Sequence, residues 1–335
     1  MLKIITSAVD NSSSPTEQNN SSFQNDDRHQ ENNSNPCVIA LGNFDGIHQG
    51  HQKVIEPIFQ PRLNQDYSRC LVTFTPHPQE FFSGNKKLLL TPIAEKSQLL
   101  EQMGIDQLIL LPFDRELANL TPSDFVSEIL VKKINAFFIC IGEDFRFGYR
   151  RQGDAEQLKL LAIEHQIEVN ITPEQSITVE DRKQRISSSL IRKSLSQGEI
   201  EFANQMLGRE YKFIGTVVKG QQLGRTIGFP TANLQIPQDK FIPQKGVYEV
   251  RVDILDSQET NLLGVMNIGN RPTIDGQNIS IEVHLLNWQG DLYNKQLKVR
   301  LVKFIREEKK FASLDELKEQ IKKDCQSVIS VNSEQ

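Results

Sequence analysis

Short apolar runs that polar residues scarcely interrupt, alternating with helical patterns, constrain the first half of this chain to a sheet covered on both faces. The runs are Cys37–Leu41, Cys70–Phe74, Gln107–Leu111, Phe137–Ile141 and Ile167–Ile171, with Met1–Val9 reading as a short first strand. Helix starts between them are well marked. Thr91-Pro92 and Thr121-Pro122 each put a capping hydroxyl before a proline at the first helical position, and Gly104 fits a helix stop. Strands that alternate with helices imply a doubly wound parallel sheet.

The pattern changes after about Arg209. Tyr211–Val218, Val247–Leu255, Leu262–Ile268, Ser280–Leu286 and Leu297–Phe304 read as closely spaced strands with Gly, Pro, Asn and Asp turns. Helix returns only at Ser313, where Ser313-Leu314-Asp315-Glu316 forms a capping box. A mostly antiparallel β-barrel with a C-terminal helix is expected. Gly198–Gly208 is read as the connection, which puts one α/β domain at 1–207 and the barrel domain at 208–335. A length of 335 residues suits two domains at about 150 residues each. Residues 10–35 are nearly all Asn, Ser, Gln and acidic residues, too polar to offset ordering entropy, so a disordered insertion is expected there.

A formal net charge of −5 gives no global drive toward nucleic acid or anionic membrane. The four cysteines show no metal-ligand spacing, and Cys37, Cys70 and Cys140 sit in apolar runs, as buried thiols of a reducing compartment do. No apolar stretch reaches about 18 residues and no signal-peptide pattern opens the chain. A cytoplasmic protein with small-molecule substrates, and no nucleic-acid or membrane partner, is expected.

The chemistry concentrates in two glycine-rich segments. The first is Gly42-Asn43-Phe44-Asp45-Gly46-Ile47-His48-Gln49-Gly50-His51, directly after Cys37–Leu41. In an open parallel sheet the first strand-to-helix turn is where phosphates bind, and a helix starting near Gly50 would offer free N–H groups to an anion. Gly42, Phe44, Asp45 and Gly50 are therefore candidates for the nucleotide side. His48 and His51, three residues apart, can converge on one phosphate; no neighbouring donor set favours zinc. For an acceptor, Asp144, Phe145 and Phe147 follow Phe137–Ile141 at another strand end, where aromatics beside charges can hold a planar ring or simply fill the core.

The second segment runs from Gly220 through Gly224-Arg225 to Gly228-Phe229-Pro230-Thr231-Ala232-Asn233. It is no Walker loop, yet its glycines let backbone N–H groups approach phosphates. Thr231 and Asn233 carry hard oxygen donors suited to Mg²⁺ shared with ATP. Glu282 lies on a strand whose alternation sets it and His284 opposite to isoleucine and valine, where a carboxylate can act as a base or merely be solvated.

These segments carry two resemblances. His48-Gln49-Gly50-His51 and Ile186-Ser187-Ser188-Ser189-Leu190-Ile191-Arg192 resemble the HxGH and ISSxxIR marks of the nucleotidyltransferase superfamily. That resemblance implies that the histidines stabilise charge at an α-phosphate, while Ser188, Ser189 and Arg192 hold the leaving pyrophosphate. Gly224-Arg225 through Pro230-Thr231-Ala232-Asn233, with Glu282-Val283-His284-Leu285-Leu286 downstream, resembles the riboflavin kinase family. It implies Mg²⁺ on Thr231 and Asn233, with Glu282 as the base toward the riboflavin hydroxyl. Gly269–Thr273 and Phe304–Glu308 match further segments, the latter making Arg306 a candidate flavin contact. Asn287 stands where an acidic residue is expected, and Asn294 where glycine is usual. In this order the two resemblances match the bacterial bifunctional riboflavin kinase/FMN adenylyltransferase family. A nucleotidyltransferase domain followed by a kinase domain is implied, taking riboflavin to FMN and then to FAD with two ATP molecules and Mg²⁺ at both sites. The rivals are an adenylyltransferase for another acceptor and a flavin-binding protein without turnover.

Overall fold

The computed structural model describes residues 2–6, 35–60, 67–179, 182–220, 223–255, 257–273 and 276–333. The insertion expected at 10–35 lies outside the described residues except for Asn35. Two compact units emerge: Met1–Phe44, Gly50–Lys87 and Lys96–Gln175 make the first, and Asp45–Gln49, Leu88–Glu95 and Ser176–Gln335 the second.

The first unit is built on a parallel sheet of β1 (Lys3–Thr6), β2 (Cys37–Leu41), β3 (Ser68–Thr75), β4 (Gln107–Pro112), β5 (Ala136–Gly142) and β6 (Glu168–Thr172). Their order across the sheet is β1-β4-β3-β2-β5-β6, every pair parallel. Every residue of β2 is buried, as its unbroken apolar run required. Ile39, Leu41, Val72, Ile139 and Ile141 pack with Leu130 and Leu158 from the covering helices. The order reverses at β2, whose neighbours are β3 and β5, so the loops after β2 and β5 open at a switch point, where such sheets bind ligands. Thr121 caps its helix as expected, its Oγ1 accepting from Asp124 N–H at 3.1 Å ahead of Pro122. The helix then runs on as a π-helix over Phe125–Lys133, which the 3.6-residue pattern did not foretell.

The second unit holds a closed barrel of β7 (Tyr211–Val218), β8 (Ala232–Gln235), β9 (Gly246–Ile254), β10 (Leu262–Thr273), β11 (Gly276–Leu285) and β12 (Gln296–Arg306). The order is β7-β8-β11-β10-β9-β12, all pairs antiparallel, and β12 returns to β7. Phe213, Tyr248, Val250, Met266, Ile281, Val283 and Leu301 fill its interior. The segment read as the connection, Gly198–Gly208, contains the helix Ile200–Leu207. Its Ile200, Ala203, Met206 and Leu207 are buried in the barrel's core cluster, together with Ile191 and Leu195 of the preceding helix Ser188–Ser196.

Two features anchor the rest of this unit. Lys240 and Glu95, only 1% and 2% exposed, pair at 2.6 Å, and Lys240 Nζ also donates to Leu90 O at 2.8 Å. Burial pushes Glu95 up and Lys240 down, each opposed by the other's charge. The C-terminal helix Leu314–Ser333 starts with Ser313 Oγ accepting from Glu316 N–H at 3.2 Å. Glu316 reaches back to Ala312 N–H at 3.0 Å, one residue ahead of the usual capping-box donor. Its Cys325 and Val328 pack on Val247, Val265 and Leu286. Among the described residues no helix is long and apolar enough to cross a membrane.

Candidate functional site

The loop after β2 is bent by left-handed residues. Phe44, Gly46 and Ile47 have φ of 47°, 95° and 40°. Only the glycine adopts such a φ without steric cost, so the other two must be held by their surroundings. In the first unit, Asn43 O accepts from Thr73 Oγ1 at 3.0 Å and from Lys96 Nζ at 3.0 Å. Phe44, buried, meets the His51 ring edge-on at 5.3 Å. Gly42 lies under the same Phe44 ring, which a Cβ there would approach to 3.3 Å. The helix begins at Gln49, so Gly50 and His51 occupy its first turn.

Within the second unit, Asp45 and Gly46 are held by groups distant in sequence. Thr91 N–H donates to Asp45 Oδ1 at 3.2 Å, and Thr91 Oγ1 accepts from Gly46 N–H at 2.9 Å. Ser188 Oγ donates to Asp45 O at 2.7 Å, and Arg192 closes an ion pair on the Asp45 carboxylate. Arg192 also donates to Leu88 O at 3.2 Å and Ser188 O at 3.3 Å. The candidates Asp45, Ser188 and Arg192 are thus brought together, with Arg192 spending its fork on protein acceptors. Ser187 caps the helix by accepting from Leu190 N–H at 3.2 Å, Ser189 is exposed, and His48 is buried. Thr91, read from sequence as a helix cap, uses its hydroxyl to hold the loop at Gly46.

After β5, Asp144 is exposed and Phe145 half-buried, whereas Phe147 is 5% exposed in the core. Phe147 stacks on Phe145 at 5.8 Å and leans on Phe125 at 5.4 Å. A second aromatic group stands in the same unit after β3 and β4: Phe113 meets Phe74, Phe81 and Phe82 edge-on at 5.8, 5.4 and 5.7 Å. Phe82 is 71% exposed there.

On the barrel, Thr231 Oγ1 donates to Glu282 Oε2 at 3.1 Å. Asn233 of β8 and Asn267 of β10 are both register partners of Glu282 on β11, which forms a polar row across three strands. Ile281 and Val283 flank Glu282 and are buried, so the alternation expected of this strand is the one observed. Asn267, a lone amide between buried Met266 and Ile268, carried that signal in the sequence and was missed. His284 Nδ1 donates to Pro230 O at 2.8 Å, and its ring meets Phe229 edge-on at 5.6 Å.

Two glycines of this site leave no room for a side chain. A Cβ on Gly220 would sit 2.2 Å from the Asn233 amide nitrogen, and one on Gly224 would sit 2.3 Å from Phe229 O. Gly228 turns with φ 88°. The Arg225 side chain lies outside the described residues. Arg306 is gripped by Asp324 of the C-terminal helix, Nη2 to Oδ2 at 2.7 Å and Nε to Oδ1 at 3.0 Å. Asn287 and Asn294 both have positive φ, 54° and 63°. At Asn294 this explains why asparagine can stand where glycine is usual, since its short polar side chain tolerates that region.

A glycine-rich loop at the switch point of a parallel sheet and a barrel bearing a Thr–Glu–Asn constellation suit a nucleotide-dependent transferase. A family model described as FAD synthetase matches residues 30–190, and one described as riboflavin kinase matches 207–331. The chain is 40% identical over 289 residues to the bifunctional riboflavin kinase/FMN adenylyltransferase of Escherichia coli strain K12, covering 86% of this chain and 90% of that one. It is 36% identical to the protein of that name from Haemophilus influenzae, covering 87% and 92%. A solved structure described as a macrolide-efflux protein from Streptococcus pneumoniae superposes with a TM-score of 0.77 at 31% identity, covering 88% of this chain and 94% of that one. The chain belongs to the bifunctional riboflavin kinase/FMN adenylyltransferase family.

Proposed function

We infer that this chain makes FMN from riboflavin and ATP, then joins FMN to the AMP part of a second ATP, giving FAD and pyrophosphate. The observation that most supports the kinase assignment is the Thr231–Glu282 hydrogen bond beside Asn233 and Asn267. Glu282 accepts the proton of the riboflavin 5′-hydroxyl as that oxygen attacks the γ-phosphorus of ATP, and ADP leaves. A positioned base of this kind contributes about 10²–10⁴-fold. Gly220, Gly224, Arg225 and Gly228 line the ATP side, and Arg306 is the proposed flavin-side residue. The Thr231 hydroxyl and the Asn233 amide oxygen, at the start of β8, are hard donors of the kind that suits Mg²⁺. When bound, that ion would neutralise charge on the ATP phosphates.

In adenylyl transfer the FMN phosphate oxygen attacks the α-phosphorus and pyrophosphate departs, so no protein nucleophile is needed. His48 and His51 stabilise the charge that develops there, with Gly42, Phe44, Asp45 and Gly50 shaping the loop. Ser188, Ser189 and Arg192 receive the pyrophosphate, and Arg192 exchanges Asp45 for phosphate oxygens as ATP binds. Asp144 and Phe145 form the flavin side, with Phe147 as their support from the core. We assign adenylyl transfer to 1–207 and the kinase to 208–335, acting on small molecules in the cytoplasm without nucleic-acid or membrane partners. Mg²⁺ at the adenylyl site is proposed from the resemblance alone.

Purified protein supplied with riboflavin and Mg-ATP, or with FMN and Mg-ATP, separates the steps when FMN and FAD are followed by chromatography. His51→Ala should lose FAD formation and keep FMN formation; Glu282→Ala should do the reverse. A folded variant that lost both would sink the assignment of separate sites.

A further inference from the structure

Arg209 sits just past the helix Ile200–Leu207, inside the span that matches riboflavin kinase. Its Nη1 nevertheless donates to Ile47 O at 2.9 Å and to Leu207 O at 3.2 Å, and its Nη2 donates to Gly46 O. Gly46 and Ile47 are two of the left-handed residues of the phosphate loop. Holding a β-branched residue such as Ile47 in that region costs about 1–3 kcal/mol, and the conformation persists only where neighbours over-determine it. Arg209 supplies that restraint with a planar fork that spans two adjacent carbonyls, which a single ammonium cannot match. Burial pulls the Arg209 guanidinium down to about 10, against the opposing influence of Glu95. A cation kept at that desolvation cost is a poor device for stability alone.

We propose that Arg209 is a positioning residue for adenylyl transfer: by clamping the Gly46 and Ile47 carbonyls it fixes the backbone from which His48 projects. The residue that sets the geometry of one reaction then lies in the segment matched to the other. The proposal rests on the placement of adenylyl transfer at Gly42–His51.

The test uses the full chain with Arg209→Lys, which keeps the charge and removes the fork. With FMN and Mg-ATP, kcat for FAD formation should fall about 10- to 100-fold, the scale expected for a small misplacement of a catalytic group. KM for ATP and the rate of riboflavin phosphorylation should each stay within about threefold of the parent, a split that general damage to the fold would not give. Parallel loss of both activities, a loss confined to KM, or adenylyl transfer close to the parent's overturns the proposal. His51→Ala measured alongside distinguishes the two levels. Transfer that survives in His51→Ala removes the placement itself. Transfer lost there but kept in Arg209→Lys removes only the clamp.

Discussion

At the residue scale, the most exacting positions are those where one atom decides the outcome. Gly220→Ala should cut riboflavin phosphorylation at least 10-fold and leave FMN adenylylation unchanged, because its Cβ would occupy the space of the Asn233 amide. Equal rates for variant and parent in a riboflavin assay would show that Asn233 can move without consequence. Asn294→Ala should destabilise by about 1 kcal/mol and Asn294→Gly by close to nothing, read as urea midpoints, because φ is 63° there. The family resemblance singled out Thr231, Asn233 and Glu282 as candidates, and of these only the strand alternation around Glu282 was readable from the residues themselves. The sequence could not show that Arg192 meets Asp45 or that Arg209 meets Ile47, since these pairs are separated by 147 and 162 positions along the chain. Phe147 shows the opposite difficulty: an aromatic at a strand end reads alike for a ring platform and for core, and burial alone distinguishes them.

Among elements, the C-terminal helix adds a buried ion pair to its apolar packing. Asp324 is 4% exposed and grips Arg306 at 15% exposure, so Asp324→Ala would strand a largely buried guanidinium. The expected cost is about 3 kcal/mol by denaturant unfolding. A change under about 0.5 kcal/mol would mean that water reaches Arg306 and the pair pins nothing. The first sheet was legible because strands covered on both faces must be continuously apolar, as in Cys37–Leu41. The strand Ala232–Gln235 was not, because Pro230-Thr231-Ala232-Asn233 reads locally as a turn and its pairing with β7 and β11 is long-range. The helix Ile200–Leu207 was hidden by the glycines at 198 and 208, which look like linker punctuation and instead flank a helix with a buried face.

Across the whole molecule, the second unit gathers its charges around Lys212. Burial draws Lys212 down to about 8; Lys298, Arg209 and Lys240 act in the same direction, and Glu95 opposes them. The unfolded chain therefore holds this proton more tightly than the folded one between about pH 8 and the ordinary lysine value near 10.4, and stability from this group rises with pH across that window. Lys212→Met should lose that rise, so the gap in melting temperature between variant and parent should narrow or reverse from pH 7.5 to pH 9.5. A gap that is constant with pH would show Lys212 to be solvated. The order of architectures was legible along the chain, because strand spacing changes near Arg209. That Leu88–Glu95 joins the barrel's unit was not, because Glu95 finds Lys240 only in three dimensions. The same pair bears on how such a gene could be divided. A break at residue 207 would place Glu95 and Lys240 on different polypeptides, so the pair that offsets their burial would hold only while the two pieces stayed together.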